Sequence, residues 1–416
     1  MSRDWFPLDH AATLYPGVIS GASTGVYRVA ANLGSAPDRA AVQRAVERAL
    51  PFFPFFRVRV RNGLFWHFLE RTSEIPRVRE EEGAPCRPFS RAKDGDLLWR
   101  VLLRGSRVSL EMSHILADGH GALEFLRVVL LFLHCENPTE AQLALPPPAE
   151  AAADAYRVAA PGFADVRPAR TRAPKAWRWP GGRLPRGMVR FTRIALDSGK
   201  FLALAREKGV SLAEWFAAVV LATLLREQEE MRGKKRPLRV LVPVDIRAML
   251  GSRTMRNAFL AVAVGIDPNL GPWSFDEILN EVHHKMRLGR ARPHIAPLLT
   301  SSLKAQSSPF LRPIPSIAKD RILRIVHRNR TSKRYTALLS NLGQVKWDFP
   351  GAERIRDFEV VPNPNPVTGL QLGLVGWKDR LVLGCASLLP SPQFERDLMR
   401  ELRKHEEHLE VEANWC

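Results

Sequence analysis

The chain reads His114-Ile115-Leu116-Ala117-Asp118-Gly119 directly after a run, at 107–113, in which apolar and polar residues alternate. Side chains of a β-strand point alternately to its two faces, so the apolar residues of this run share one face. His114 has the parity of that apolar set. The pattern predicts a strand whose end delivers His114 toward the interior, followed by a helix over 122–134.

A histidine in this position has the chemistry of a general base. Neutral imidazole, with a reference pKa of about 6.5, can take a proton from a hydroxyl or an amine as that group attacks a carbonyl. Asp118 is expected to fix the loop by pairing with an arginine, and Gly119 keeps the backbone free of a side chain. The alternative is structural: His114 is a buried core histidine, and Asp118 only caps the following helix.

The N-terminal part of the chain alternates between helix and strand patterns. The predicted elements are a helix at 35–50, a hairpin of strands 56–61 and 64–69 around Asn62-Gly63, and a hairpin of strands 98–104 and 107–112 around Gly105-Ser106. Residues 146–186 are rich in Ala, Pro and Arg and predict a crossover linker.

The C-terminal part repeats the alternation. Its predicted elements are strands at 189–196, 238–244, 369–375 and 380–386, a helix at 211–227 with Ser211 as N-cap, and a helix at 391–410. Because a chain of 416 residues exceeds the usual size of one compact domain, two lobes are expected. The prediction is an α/β protein with a first lobe at 1–145, the linker at 146–186 and a second lobe at 187–416.

The chain is strongly basic, with a net charge of +19 and a pI near 10.5. Such a surface attracts phosphates, acidic proteins or anionic membranes, and charge alone does not choose among them. The four cysteines, Cys86, Cys135, Cys385 and Cys416, form no metal-binding or disulfide pattern, which favours a reducing compartment. Residues 1–10 do not resemble a signal peptide, and the longest apolar stretch, 215–225, is too short to span a bilayer. We therefore expect a cytoplasmic protein.

Other cofactor and metal motifs are missing from the sequence. There is no Walker loop, no Rossmann glycine fingerprint and no serine nucleophile elbow. His283-His284 lies beside Glu281 on a predicted helix but lacks further ligands at metal-binding spacing. The sequence thus predicts no metal and no permanently bound cofactor.

From the motif outward, the chain resembles the His-x-x-x-Asp-Gly acyltransferases, which are built like chloramphenicol acetyltransferase. This superfamily includes condensation domains of peptide synthetases, polyketide-associated acyltransferases, wax-ester-synthase-like enzymes and stand-alone bacterial proteins of the alcohol-acetyltransferase type, which the chain resembles most. The resemblance runs from about Phe6 to Leu389. Besides the motif, the resemblance rests on five short stretches: 7–12 with Tyr15-Pro16, 63–66, 242–247, 254–259 and 339–343. The last of these resembles a late loop near the inter-lobe channel.

The resemblance implies a pseudo-dimer of two lobes with a tunnel between them. An acyl group would move from a thioester of coenzyme A, or of an acyl carrier protein, to a small-molecule alcohol or amine. His114 would be the general base in the tunnel, and Asp118 would pair with an arginine of the second lobe, for which Arg247 is the candidate. A monomer would suffice for such a fold.

Three further residues are candidates for stabilising the oxyanion or the acyl carbonyl: Asn257, Ser340 and Asn341. Residues of these types also hold turns and strand ends, and that alternative stays open. One departure from the family pattern is Ser113, since many relatives carry a first histidine there. Ser113 weakens the assignment to the condensation-domain branch and leaves the catalytic position, His114, intact.

Two other functions are compatible with the sequence. The basic charge could make the chain a non-catalytic protein that binds nucleic acid or a membrane, although no nucleic-acid module is present and none is expected as a partner. A silent relative could instead serve as a scaffold for carrier proteins. The basic run at 321–334 suits coenzyme A phosphates or an acidic carrier protein, or forms a solvated face.

Overall fold

The computed structural model describes residues 5–20, 23–159, 162, 174–231, 233–310, 312–327 and 332–415. Cys416, Arg328, Arg330 and linker residues 163–173 lie outside the described residues. Strands and helices alternate through both halves of the chain, as the sequence predicts for an α/β protein.

The strands are β1 (Trp5–Pro7), β2 (Val26–Leu33), β3 (Val58–Asn62), β4 (His67–Arg71), β5 (Arg79–Glu80), β6 (Trp99–Arg104), β7 (Arg107–Ser113), β8 (Arg190–Asp197), β9 (Leu238–Asp245), β10 (Phe259–Ile266), β11 (Ala337–Val345), β12 (Ile355–Val361), β13 (Leu370–Trp377), β14 (Arg380–Ser387) and β15 (Glu410–Ala413). The helices are α1 (Tyr15–Val18), α2 (Arg39–Ala49), α3 (Arg91–Asp94), α4 (Gly119–His134), α5 (Glu140–Leu143), α6 (Pro148–Ala151), α7 (Ala155–Ala159), α8 (Ser198–Glu207), α9 (Leu212–Glu230), α10 (Arg247–Leu250), α11 (Phe275–Arg290), α12 (Arg292–Ser307), α13 (Ser316–Val326) and α14 (Gln393–Arg403).

The first lobe is built on a five-stranded sheet in the order β12-β2-β7-β6-β5. Helices α2 and α4 pack together over it and bury the apolar face that ends at His114. The opposite face is not solvated, because Glu111 is buried and accepts from Arg28 and Arg100. One strand of the C-terminal part, β12, completes this sheet by pairing antiparallel with β2.

The second lobe is built on a seven-stranded sheet in the order β10-β9-β11-β13-β14-β8-β15. Helix α9 begins at Ser211, whose side chain forms the expected capping box with Glu214. Strands β9 and β11 pair only at 337–338 with 240–241 and then separate. Pro243 follows this point, and since proline has no N–H it cannot extend the ladder. The separation opens the sheet next to the first lobe.

Some boundaries differ from the sequence prediction. Helix α2 begins after Asp38 rather than at 35, because the Asp38 carboxylate caps it by accepting from the Ala41 N–H. The first hairpin has a four-residue loop at 63–66, so its return strand starts at His67. The C-terminal helix ends at Arg403, and residues 410–413 form β15, which covers the edge strand β8.

The linker prediction, 146–186, covers two short helices, α6 and α7, among its described residues. Tyr156 of α7 is buried, and its hydroxyl bonds the backbone of Phe259. Among the described helices, none is by itself long and apolar enough to cross a membrane; α8 and α9 meet that length and hydropathy only as a pair bent by 88°.

Candidate active site

His114 lies immediately after β7, where the strand enters the junction between the lobes. Its N–H donates to the Gly25 carbonyl at 3.0 Å, which extends the β2–β7 pairing by one step. Its carbonyl accepts from the Asn257 side-chain amide at 2.9 Å. Both backbone groups of His114 are therefore held, one by each lobe.

Aromatic side chains surround the His114 ring. Tyr15 stacks on it, with ring centroids 5.1 Å apart and planes inclined by 10°. Tyr27 lies 4.4 Å away, and its hydroxyl is anchored to the carbonyls of Ala117 and Asp118. Phe259 from the second lobe lies at 6.2 Å. These rings hold the imidazole in one place.

The surroundings favour neutral imidazole. Burial lowers the pKa of His114 to about 4, although the Asp118 charge and the Asn257 side chain act in the opposite direction. Nδ1 is closed off from solvent and has no hydrogen-bond partner, which leaves Nε2 as the nitrogen available to a ligand in the adjacent cavity. His114 thus has the protonation state that a general base needs at neutral pH.

Asp118 joins the two lobes. It caps α4 by accepting from the Gly121 N–H, and it also accepts from the Ala258 N–H of the second lobe at 2.9 Å. Arg247 Nη2 lies 2.8 Å from one carboxylate oxygen and 2.9 Å from the other. Burial alone would raise the pKa of Asp118, but Arg247 and the Ala258 N–H bring it below its usual value. Asp118 is therefore an ionised bridge and a helix cap at once.

Asn257 is buried behind His114 rather than in front of it. Its Nδ2 donates both to the His114 carbonyl and to Asp9 Oδ2, each at 2.9 Å. In this arrangement both of its N–H groups are used, and Asn257 does not line the cavity. Its partner Asp9 is also buried, and burial raises the pKa of Asp9 to about 6 despite nearby Arg256. The contacts make Asn257 a brace for the motif.

A cavity of about 360 Å³ lies in front of His114. Both lobes contribute to its walls, and the strands β9 and β11 reach it where they separate. Residues that line it include Tyr15, Tyr27, His114, Leu123, Leu241, Phe259, Ser340, Asn341 and Gln371. Ser340 and Asn341, two of the predicted site residues, therefore face the same space as His114.

The segment 339–343, expected to be a loop, belongs to strand β11. Its pairing with β13 shifts register between Asn341 and Gln344, and Gly343 has a φ of 75°. The side-chain oxygen of Asn341, Oδ1, accepts a hydrogen bond from the Gly343 N–H at 2.9 Å and stabilises this bulge. The irregularity directly follows residues 340 and 341, which line the cavity, and bulges are frequent near functional sites.

The two glycines of the motif region permit close contact between the lobes. A Cβ on Gly119 would lie 2.6 Å from a methyl group of Leu342. A Cβ on Gly121 would overlap the carbonyl oxygen of Met255, a backbone atom that cannot move alone. Gly121 was not singled out from the sequence, because the requirement comes from the other lobe.

The Gly121→Ala variant is expected to be destabilised by about 1–3 kcal/mol, as in other overpacked interiors. Urea unfolding followed by circular dichroism measures this change. Gly199→Ala is the matched control, since Gly199 also lies in the first turn of a helix and its added Cβ would meet only the Asp197 carboxylate at 3.2 Å. Equal stability of the two variants would contradict the proposed close contact.

The sequence did not assign roles to Tyr15, Tyr27 or Asp9. Tyr27 pairs in register with Met112, two residues before His114, so it lies on the same sheet face. If residues 26–33 had been assigned to a strand paired with 107–113, Tyr27 would have been identified as a neighbour of His114. His283 lies near Glu214, at 3.5 Å, and outside the cavity lining. Of the basic run at 321–334, Arg321 and Arg324 belong to α13, outside the cavity lining.

Comparisons with known proteins bear on the fold. No family model and no curated protein matches the chain. Polyketide synthase associated protein 5 from Mycobacterium tuberculosis is 16% identical, with a TM-score of 0.61 over 97% of this chain and 100% of that one. TRI101 from F. graminearum, complexed with Coenzyme A and T-2 mycotoxin, is 12% identical, with a TM-score of 0.62 over 98% of this chain and 99% of that one. The wax ester synthase/diacylglycerol acyltransferase from Marinobacter aquaeolei VT8 is 16% identical, with a TM-score of 0.56 over 97% of this chain and 99% of that one.

The matches span almost the whole chain and almost the whole of each neighbour. The chain therefore has the two-lobed α/β fold of the chloramphenicol-acetyltransferase-like acyltransferases, and the fold predicted from the motif is confirmed. The tunnel between the lobes stays a prediction. Since one fold can carry several functions, the fold alone does not determine the activity, which depends on the residues of the site.

Proposed function

We propose that this chain is an acyltransferase that moves an acyl group from a thioester to an alcohol or an amine, with His114 as general base. The observation that carries the proposal is the His114 ring, which is fixed among aromatic side chains, kept neutral by burial, and lines an inter-lobe cavity. The neighbours add support, because TRI101 binds Coenzyme A and another neighbour is named an acyltransferase.

In the proposed step, the acceptor O–H or N–H donates to Nε2 of His114. The acceptor atom attacks the thioester carbonyl while the proton passes to the imidazole. Because the pKa of His114 is lowered to about 4, the imidazolium formed is a ready acid and returns the proton to the leaving thiolate or to solvent. One histidine suffices, since a thiolate needs no strong acid to leave.

The neighbouring residues would position this chemistry. Asp118 and Arg247 would hold the loop of His114 against the second lobe, and Asn257 would brace its backbone. Ser340 and Asn341 face the cavity and are the proposed donors to the oxyanion or acyl carbonyl. Asn257 remains a weaker candidate for that task, because both of its N–H groups are engaged.

The proposed co-substrate is acyl-coenzyme A or an acyl carrier protein, with no permanently bound cofactor, acting in the cytoplasm. Thiol release tests the proposal: the protein is incubated with acyl-coenzyme A donors from short to long and with pooled alcohol and amine acceptors. Release that depends on an acceptor is the expected result. Carrier-bound donors form the second arm, and no release from either class of donor would refute the proposed activity.

The pH dependence of kcat/KM should reflect the low pKa of His114. A base with an ordinary histidine pKa loses half its neutral form at about pH 6.5, whereas His114 should stay neutral down to about pH 5. In this window the pKa values of Tyr15 and Tyr27 are raised and that of Asp118 is lowered, so these neighbours do not change charge. With an alcohol acceptor, which does not ionise in this range, we expect no fall from protonation of His114 between about pH 8 and about pH 5, and a fall below about pH 5.

Asp9 can titrate inside this window, since its pKa is raised to about 6, and it contacts Asn257. The Asp9→Asn variant separates the two groups: an inflection near pH 6 that vanishes in this variant belongs to Asp9. The fall near pH 4 should persist in both proteins. An apparent pKa of about 6.5 or above in Asp9→Asn would contradict the assignment of a low pKa to His114.

A further inference from the structure

We propose that α13 and the tip of the β3–β4 hairpin form a docking surface for an anionic lipid bilayer. This surface, called the α13 face below, consists of the loop 63–66 and the exposed side chains of α13. It lies on the outside of the protein, apart from the cavity of His114. The proposal concerns binding and does not depend on the proposed acyl transfer.

The two elements of the α13 face are joined by hydrogen bonds. The Ser316 N–H donates to the Leu64 carbonyl, and the Ser316 hydroxyl donates to the Gly63 carbonyl, each at 2.8 Å. Lys319 Nζ donates to the Phe65 carbonyl at 2.8 Å. The hairpin tip and the helix therefore present one continuous and fixed surface.

Large apolar side chains on this face are exposed to an unusual degree. Leu64 and Ile317 are each 71% exposed, and Trp66 is 63% exposed. Ile322 and Ile325 are also more than half exposed. Helix α13 rests on α1 through Leu323, close to Gly17, and leaves Ile322 and Ile325 in contact with solvent. Such a concentration of exposed apolar side chains marks an interaction surface.

The charges around the apolar side chains select the partner. Arg321 and Arg324 are exposed on α13, and the one acid of this helix, Asp320, is engaged by His67. A helix that combines outward isoleucines with arginines is suited to lie in the headgroup region of an anionic membrane, where Trp66 is also favoured.

A second cavity of about 500 Å³ lies directly under the α13 face. Its lining includes Pro16, Ile19, Val60, Leu64, Ile115 and Ile317. Leu64 and Ile317 belong both to this lining and to the exposed face, and Ile115 follows His114 in the chain. The lining also includes Asn62, His67, Ser316 and Asp320, so docking at this face would bring a mainly apolar cavity with a polar part to the bilayer.

Vesicle flotation of the full chain tests the proposal. The protein is mixed with vesicles of phosphatidylcholine alone or of phosphatidylcholine with phosphatidylglycerol, at low and at raised salt. We expect binding to the anionic vesicles that weakens with salt. For the Ile317→Glu/Ile325→Glu variant, the affinity for anionic vesicles should fall by a factor of about ten or more, because two inserted apolar side chains become charged. Arg321→Gln should weaken binding to anionic vesicles by a smaller factor.

Leu270→Glu/Met188→Glu is the matched control, since both residues are exposed apolar side chains elsewhere on the chain. It should float with the vesicles as the wild type does, and circular dichroism verifies that each variant is folded. Three results would overturn the proposal: no preference for anionic vesicles, equal binding by Ile317→Glu/Ile325→Glu, or a lipid-free dimer that this variant dissociates. The last result would assign the α13 face to a second copy of the chain.

Discussion

The His114→Ala variant is expected to lose about 10²–10⁴-fold in kcat/KM, which is the usual contribution of a positioned general base. The loss should appear in kcat, because alanine removes the proton acceptor and leaves most of the cavity wall in place. His114 contacts Tyr15, Tyr27 and Phe259, so its ring also fills space between the lobes. Initial rates over a range of donor concentrations separate kcat from KM.

His284→Ala is the control for this prediction. His284 is an exposed histidine of α11 and lies outside the cavity lining, so its removal should leave kcat/KM unchanged. Circular dichroism and thermal unfolding of both variants establish that the fold is retained. Full activity in a folded His114→Ala protein would refute the role of His114 as general base.

The Arg247→Ala variant is expected to lose about 3–5 kcal/mol of stability. Removing one partner of a buried ion pair leaves the other charge without compensation, and Asp118 is buried. Arg247 also donates to the carbonyls of Thr254 and Arg256, so the segment before Asn257 should loosen as well. Urea unfolding gives the change in the free energy of unfolding.

Arg253→Ala supplies the comparison, because Arg253 is an exposed arginine in the same segment. Its replacement should change the stability by no more than about 0.5 kcal/mol. Adding Asp118→Ala to Arg247→Ala removes the uncompensated charge, so the double variant should be less destabilised than the sum of the two single variants. Additive effects of the two substitutions would show that the pair is not coupled.

The local elements near the motif were predictable from the sequence. The hairpin around Gly105-Ser106 and the helix after Ser211 match the structure closely, because strand alternation, turn residues and caps act over a few positions. The strand–motif–helix order around His114 was predictable for the same reason. The fold itself followed from the resemblance that the motif carries.

Long-range pairings were not predictable in this way. Nothing local indicates that β12 joins a sheet formed mainly by residues before 114, or that residues 410–413 leave the terminal helix to pair with β8. The alternation of polar and apolar residues in β7 indicates a solvent-exposed position for Glu111. In the structure Glu111 is buried and forms ion pairs with Arg28 and Arg100. Such contacts depend on partners far along the chain.

The same limit applies to the site. Arg247 was proposed from the resemblance, and the structure places it 2.8 Å from Asp118. Asn257 was proposed as a donor to substrate, but its contacts with Asp9 and the His114 carbonyl point to bracing instead. The tyrosines around His114 required the register of β2 against β7, which the sequence analysis did not assign.

The most direct test of the account is mass spectrometry of the acceptor after reaction. Wild type and His114→Ala are each incubated with the same acyl-coenzyme A or acyl-carrier donor and the same pooled alcohols and amines. The account predicts an acylated acceptor with the wild type and no more than a trace with His114→Ala. Equal amounts of acylated acceptor with both proteins, or thiol release by the wild type without any acylated acceptor, would contradict it.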